Sequence, residues 1–295
     1  MSILKKGNKI GIIAPSVGLK DKDLTPTINY FKKLNLTPIF ADNIKKEYRY
    51  MAGTDKERAE AINKMFQDNN IKALFCLRGG AGATRMFPYL DYKLIKNNPK
   101  PIIGLSDSTA IQNALIAKCN NPSLTGFLPL YDLNNKTIDP LVNSSLKNCL
   151  FDDSHSITSG ICRYKGTATG EIIGGCLSVL LYLAGTPYFP DLKDKILILE
   201  DTEEKTYKID LMLNQLKQQK NFNKLKGIIF GQFTDCPIID EEDGSIADCI
   251  NDFVKDLTIP VVTDFAYGHI PARYVIPLGI KATLKATSKT CTLSW

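Results

Sequence analysis

The sequence predicts an α/β protein, with an N-terminal parallel-sheet α/β domain followed by a smaller C-terminal α+β domain. Three observations carry the prediction. Short apolar runs alternate with amphipathic stretches through the first half, the pattern of parallel strands wrapped by helices. A polar stretch breaks that pattern near the middle. Apolar runs then resume and end, at the C-terminus, in an alternating segment of hairpin character. With 295 residues, 44% of them hydrophobic, the chain suffices for one large core or two ordinary ones.

Taken in order, Ile10 to Ala14 is an apolar run ending in Pro15, a strand that enters a loop. Thr25 and Pro26 read as the cap and first position of a helix running to about Leu34, with Ile28, Phe31 and Leu34 at helical spacing. Residues 37–41 make the next strand. Thr54 with Glu57 is a capping box, and Ala61, Ile62, Met65 and Phe66 share one face of the helix behind it. The strand 71–77 ends at Arg78-Gly79-Gly80. The strand 101–105 ends at Ser106, and a helix from Asp107 to about Lys118 follows.

Between about Asn134 and Lys165 the chain is rich in Asn, Ser, Asp and Lys. The expected organisation is an N-terminal domain over 1–145, a linker over 146–166 and a C-terminal domain over 167–295. The second part opens with a strand from Thr167 to Ile173 and a Gly174-Gly175 turn. A helix from about Leu177 to Ala184 ends at Gly185, a glycine suited to a helix C-terminus. Residues 195–199 form a buried strand ending at Glu200-Asp201. Ile209, Leu213 and Leu216 mark the next helix, 227–233 a strand, and Ile246, Ile250, Phe253 and Val254 another helix. A strand over 259–265 runs into Tyr267-Gly268-His269, and 282–295 reads as a hairpin.

Composition excludes several classes. The formal charge of +6 is spread along the chain, so no basic stripe with interleaved aromatics speaks for a nucleic-acid partner. No apolar run reaches the roughly 18–20 residues of a membrane span, which predicts no membrane partner. No signal peptide is read at the N-terminus, and the expected location is cytoplasmic. The eight cysteines include no CxxC pair, and there are two histidines, so no metal site of ordinary spacing is expected. Reduced, mostly buried thiols are expected instead.

Functional groups in open α/β sheets gather where strands end. The first such end is Gly104-Leu105-Ser106-Asp107-Ser108. A strand leads in and a helix leads out, so Ser106 sits on a turn like a nucleophile elbow, next to free N–H groups and a positive dipole end. The match to G-x-S-x-G is partial, since Ser108 stands at the second glycine; Ser106 as a simple helix cap is the alternative. The second end is Arg78-Gly79-Gly80-Ala81-Gly82, whose glycines permit positive φ and close approach to an anion. It is neither a Walker A loop nor G-x-G-x-x-G, and a plain tight turn is the alternative. The third group is Glu200, after an apolar strand, and His269 in the loop after another. His155 lies in a polar stretch and reads as surface.

Seven segments stand in a telling order: Ile12-Ile13-Ala14-Pro15-Ser16, Leu77-Arg78-Gly79-Gly80, Ile103-Gly104-Leu105-Ser106-Asp107, Gly174-Gly175, Gly185-Thr186-Pro187-Tyr188, Leu199-Glu200-Asp201 with Tyr207, and Tyr267-Gly268-His269. Together they resemble the LD-carboxypeptidase family of serine peptidases, which includes the microcin C immunity peptidases, over nearly the whole chain. The resemblance implies a Ser106–Glu200–His269 triad and an oxyanion hole of the Gly80 and Asp107 backbone N–H groups. It also implies a homodimer, no cofactor and no metal. The implied substrate is a murein tetrapeptide cut before its terminal D-alanine, in peptidoglycan recycling. Its free carboxylate calls for a cation, and Arg78, Arg85 and Arg273 are the candidates. The sequence departs from the family at Ala81 (usually aromatic), Cys176 (commonly Asn) and Leu211 (commonly basic), which bears on specificity more than on the triad. The alternatives are an immunity-type peptidase cutting a peptide–nucleotide or acyl-sulfamate amide, and a non-catalytic binder using 78–82 as an anion nest. With the triad residues in different domains, domain closure is expected to assemble the site.

Overall fold

Strands buried on both faces need near-continuous apolar runs, and the first half supplies four of them. The computed structural model describes residues 3–19, 21–134, 137–152 and 155–295. Of the expected linker, residues 153 and 154 lie outside the described residues. The chain divides into two compact units, Met1–Asp153 with Tyr274–Leu278, and Ser154–Arg273 with Gly279–Trp295.

The first unit runs β1 (Lys9–Ile13), α1 (Thr25–Lys33), β2 (Thr37–Phe40), α2 (Asp55–Gln67), β3 (Ile71–Cys76), a 3₁₀ segment (Ala83–Tyr89), α3 (Tyr92–Asn97), β4 (Ile102–Gly104), α4 (Ser108–Cys119), β5 (Ser123–Thr125), α5 (Pro129–Asp132) and α6 (Pro140–Phe151). The Thr54 capping box forms as expected, with Thr54 and Glu57 each accepting from the other's backbone N–H. The sheet order, in chain numbering, ends β5-β4-β3-β1-β2, and these strands are all parallel. The order reverses between β1 and β3. Their carboxyl ends therefore flank a topological switch point, where open sheets leave a crevice for ligands.

The second unit runs β6 (Ser156–Thr158), β7 (Ile161–Tyr164), β8 (Gly166–Cys176), α7 (Leu177–Leu181), β9 (Lys195–Thr202), α8 (Thr206–Lys217), β10 (Gly227–Thr234), α9 (Ile246–Val254) and β11 (Val261–Thr263). The chain then places β12 (Ile276–Leu278) antiparallel against β5 in the first unit's sheet, and returns for β13 (Lys281–Ala286) and β14 (Cys291–Ser294). β8, β9, β10 and β11 are parallel neighbours, while β7, β13, β14 and β6 extend the two edges antiparallel. The C-terminal hairpin expected from alternation is β13–β14.

Two local expectations change. The Gly174-Gly175 pair lies inside β8 rather than in a turn. A Cβ on Gly174 would stand 2.1 Å from the Ile198 carbonyl oxygen, so the pair serves close strand approach to β9. Likewise β9 continues past Leu199 through Glu200 and Asp201 to Thr202, which buries both carboxylates within the sheet. The polar stretch 146–166 carries the end of α6 and all of β6 and β7, short elements with exposed positions that leave little apolar signal.

Candidate active site

Each unit holds its own cluster of candidate residues. In the first, β4 delivers the chain into Ser106, whose φ is +65°. Left-handed backbone costs a side chain with a Cβ about 1–2 kcal/mol, so the turn holds Ser106 against its preference. Two glycines make room for it. A Cβ on Gly104 would meet Ser108 at 2.4 Å, and one on Gly79 would meet the Ser106 Cβ at 2.8 Å. The N-cap of α4 is Asp107, not Ser106, and the Asp107 side chain makes no capping bond. The capping alternative for Ser106 is thereby set aside. The leading turn of α4 is left without side-chain capping, and its dipole faces Ser106.

Asp107 turns inward instead. It is 2% exposed, and its Oδ2 accepts from the Ser16 hydroxyl at 2.5 Å and from the Ala83 N–H at 2.9 Å. Burial pushes its carboxyl above the usual range, against the pull of those bonds and of the Arg58 charge. The glycine loop behind Arg78 runs past Val17: a Cβ on Gly80, where φ is +121°, would stand 2.3 Å from Val17 Cγ2. Only glycine passes there.

In the second unit, Glu200 at the carboxyl end of β9 is fully buried and accepts from His269 Nδ1 at 2.8 Å. A carboxylate has no proton to give, so Nδ1 carries the hydrogen and Nε2 of the neutral ring keeps its lone pair. Gly268 allows the approach, since a Cβ there would lie 3.0 Å from Glu200. The loop is pinned to β10 where the Gln232 N–H donates to the Tyr267 carbonyl at 2.8 Å. Burial, the largest influence on His269, pushes its pKa down; the hydrogen bond and charge of Glu200 outweigh it, and the net shift is upward. Next door, Asp201 anchors the start of α7 through the Ser178 N–H at 2.7 Å and hydroxyl at 3.1 Å.

The three candidate arginines part ways. Arg85 binds Asp55 through Nε and NH2, both at 3.0 Å. Arg273 is fully buried and donates to the Ile270 carbonyl at 2.8 Å. Arg78 is half-buried at the end of β3, and no side-chain partner holds it among the described residues. His155 pairs its backbone with Trp295, at 3.1 Å in both directions. Sequence reasoning missed Arg58, which is fully buried on α2. Its signal was present: position 58 shares the apolar face of Ile62 and Met65. Among the described residues, no cluster of three or more His, Cys, Asp or Glu side chains forms a metal site, and no helix is long and apolar enough to cross a membrane.

The profile of the LD-carboxypeptidase N-terminal domain matches residues 10–126, and that of the LD-carboxypeptidase C-terminal domain matches 169–284. The chain belongs to the LD-carboxypeptidase family, and is by that membership a hydrolase of peptide bonds. It is 30% identical to the probable murein peptide carboxypeptidase of Bacillus subtilis, over 98% of this chain and 92% of that protein. It is 26% identical to the microcin C7 self-immunity protein MccF of Escherichia coli, over 83% of this chain and 80% of that one. Among solved structures, the muramoyltetrapeptide carboxypeptidase of Oxalobacter formigenes superposes with a TM-score of 0.90 at 26% identity, covering 97% of this chain and 98% of its own.

Proposed function

We propose that the chain is a serine LD-carboxypeptidase that releases the terminal D-alanine of murein tetrapeptides. Ser106 is the nucleophile, His269 its base and Glu200 the carboxylate that orients the imidazole. The observation that carries the reading is the left-handed Ser106 at the head of an uncapped helix, a strained placement that a structural serine does not need. The buried Glu200–His269 pair and the names of the relatives support it.

His269 Nε2 takes the proton of Ser106 as its oxygen attacks the carbonyl before D-alanine. The backbone N–H groups of Gly80 and Asp107 receive the oxyanion, each worth about 2.7–4 kcal/mol of barrier by the usual effect of losing one donor. The imidazolium returns the proton to the departing amine, and water then hydrolyses the ester on Ser106 with the same base. Protons and electrons balance without a cofactor. Of the three arginines, Arg78 takes the substrate carboxylate, because the other two are engaged or buried. The resemblance further implies a cytoplasmic homodimer working in peptidoglycan recycling.

A murein tetrapeptide incubated with the protein is expected to lose one D-alanine by mass spectrometry. Ser106→Ala should leave it intact, and Arg78→Met should raise KM about tenfold or more with kcat little changed. A folded wild type that spares the tetrapeptide but cuts an aminoacyl sulfamoyl nucleoside would favour the immunity-type reading, which the likeness to MccF supports.

A further inference from the structure

Two dipeptides in the first unit are gripped by the same pair of buried, oppositely charged side chains. Pro15-Ser16 follows β1, and Gly82-Ala83 closes the glycine loop after β3. Arg58 NH1 donates to the carbonyl of the first member of each, Pro15 and Gly82, the latter at 2.8 Å. Asp107 Oδ2 accepts from the second member of each, the Ser16 hydroxyl at 2.5 Å and the Ala83 N–H at 2.9 Å. Arg58 is itself held by Asp55 at 2.5 Å, so its charge is compensated where it lies buried.

The position of this grip matters. The loop starts where the Leu77 N–H bonds the Ile13 carbonyl and ends at Ala83. Between them, Gly79 lies against Ser106 and Gly80 against Val17, both closer than a Cβ would allow. Asp107 is the residue after Ser106. One carboxylate thus ties the far end of the loop bearing Gly80 to the turn bearing the nucleophile.

We propose that the Arg58 and Asp107 side chains form a clamp that holds the Gly79-Gly80 loop against the Ser106 turn, and so act as positioning residues for the oxyanion hole. The proposal rests on Ser106, Gly80 and Asp107 forming the acylation site. Preorganised donors stabilise charge that develops only in the transition state. Loosening the clamp therefore lowers kcat and leaves ground-state binding in place. Ser16 is the mildest point of entry, since its buried hydroxyl is bound to Asp107 Oδ2.

The test compares Ser16→Ala, Ser16→Thr, Asp107→Ala and Asp107→Asn with wild type on the murein tetrapeptide. Thermal melts establish that each variant is folded. Affinities are measured for the tripeptide product and for a phosphonate analogue of the tetrahedral intermediate. Ser16→Ala is expected to lose about tenfold in kcat, and Asp107→Ala about a hundredfold. KM and product affinity should stay within about twofold, while phosphonate affinity falls in step with kcat. Ser16→Thr should recover part of the loss, and Asp107→Asn, which keeps an acceptor, should lie between wild type and Asp107→Ala. Folded variants with wild-type kcat, or with product and phosphonate affinity falling equally, overturn the clamp and leave the functional reading standing. A wild type that cleaves neither this peptide nor an aminoacyl sulfamoyl nucleoside overturns both.

Discussion

At the scale of single residues, backbone strain at Ser106 separates function from architecture. Other positive-φ positions that are not glycine fall mostly on Asn and Asp, which tolerate the region. A serine there is costly, and alanine inherits the cost. Ser106→Gly and Ser106→Ala should both abolish turnover, yet the glycine variant should be about 0.5–1 kcal/mol the more stable in urea denaturation. His269 gives a second residue-level expectation. Its raised pKa places the acid limb of kcat/KM above the ordinary histidine value, because the base must be neutral. Glu200→Gln should move that limb to lower pH while kcat falls by on the order of 10³–10⁴. The sign for stability is the reverse of that for activity. A histidine whose folded pKa is raised contributes fully below its unfolded value, and loses the contribution as pH rises through the raised one.

At the scale of elements, glycine placement decides more than propensity. Gly174→Ala should cost about 3 kcal/mol or more, since its Cβ would collide with the Ile198 carbonyl at 2.1 Å inside a paired sheet. Gly185→Ala, with nothing within 4 Å but φ at +77°, should cost only about 1 kcal/mol, and chemical denaturation of the two variants checks the contrast. This contrast also shows what the sequence could reveal. Buried parallel strands announce themselves by apolar runs, and the Thr54 capping box by its two residue types, so β1, β3, β4 and α2 were legible. So were Ser106, at a strand-to-helix junction, and the Glu200 and His269 loci. The glycine pair reads as a turn in sequence because glycine signals both a bend and a close approach, and only the partner strand tells which. From sequence β9 stops at Glu200, because a buried carboxylate looks like a strand end until its histidine is placed. The roles of Arg58 and of the Asp107 side chain depend on loops far apart in sequence, which no local pattern records.

At the scale of the whole molecule, the chain path is not two consecutive folding problems. β12 comes from near the C-terminus and completes the first unit's sheet by pairing Ile276 with Thr125 and Leu278 with Ser123. Just before β12, the Val275 N–H also bonds Ser145 Oγ on α6 at 3.0 Å. A fragment ending at residue 153 should therefore expose β5 as an unpaired edge and be far more sensitive to protease than the full chain. A peptide spanning 272–280 should restore part of the resistance, and limited proteolysis reads both outcomes. The consequence extends to biosynthesis. At about 5–20 residues per second, about 125 residues of translation separate the emergence of α6 from that of β12. For roughly 6–25 seconds at those rates the nascent first unit carries an open sheet margin at β5. A ribosome stalled once residue 153 has emerged would present that margin to chaperone holdases, and one stalled after residue 278 has emerged would not.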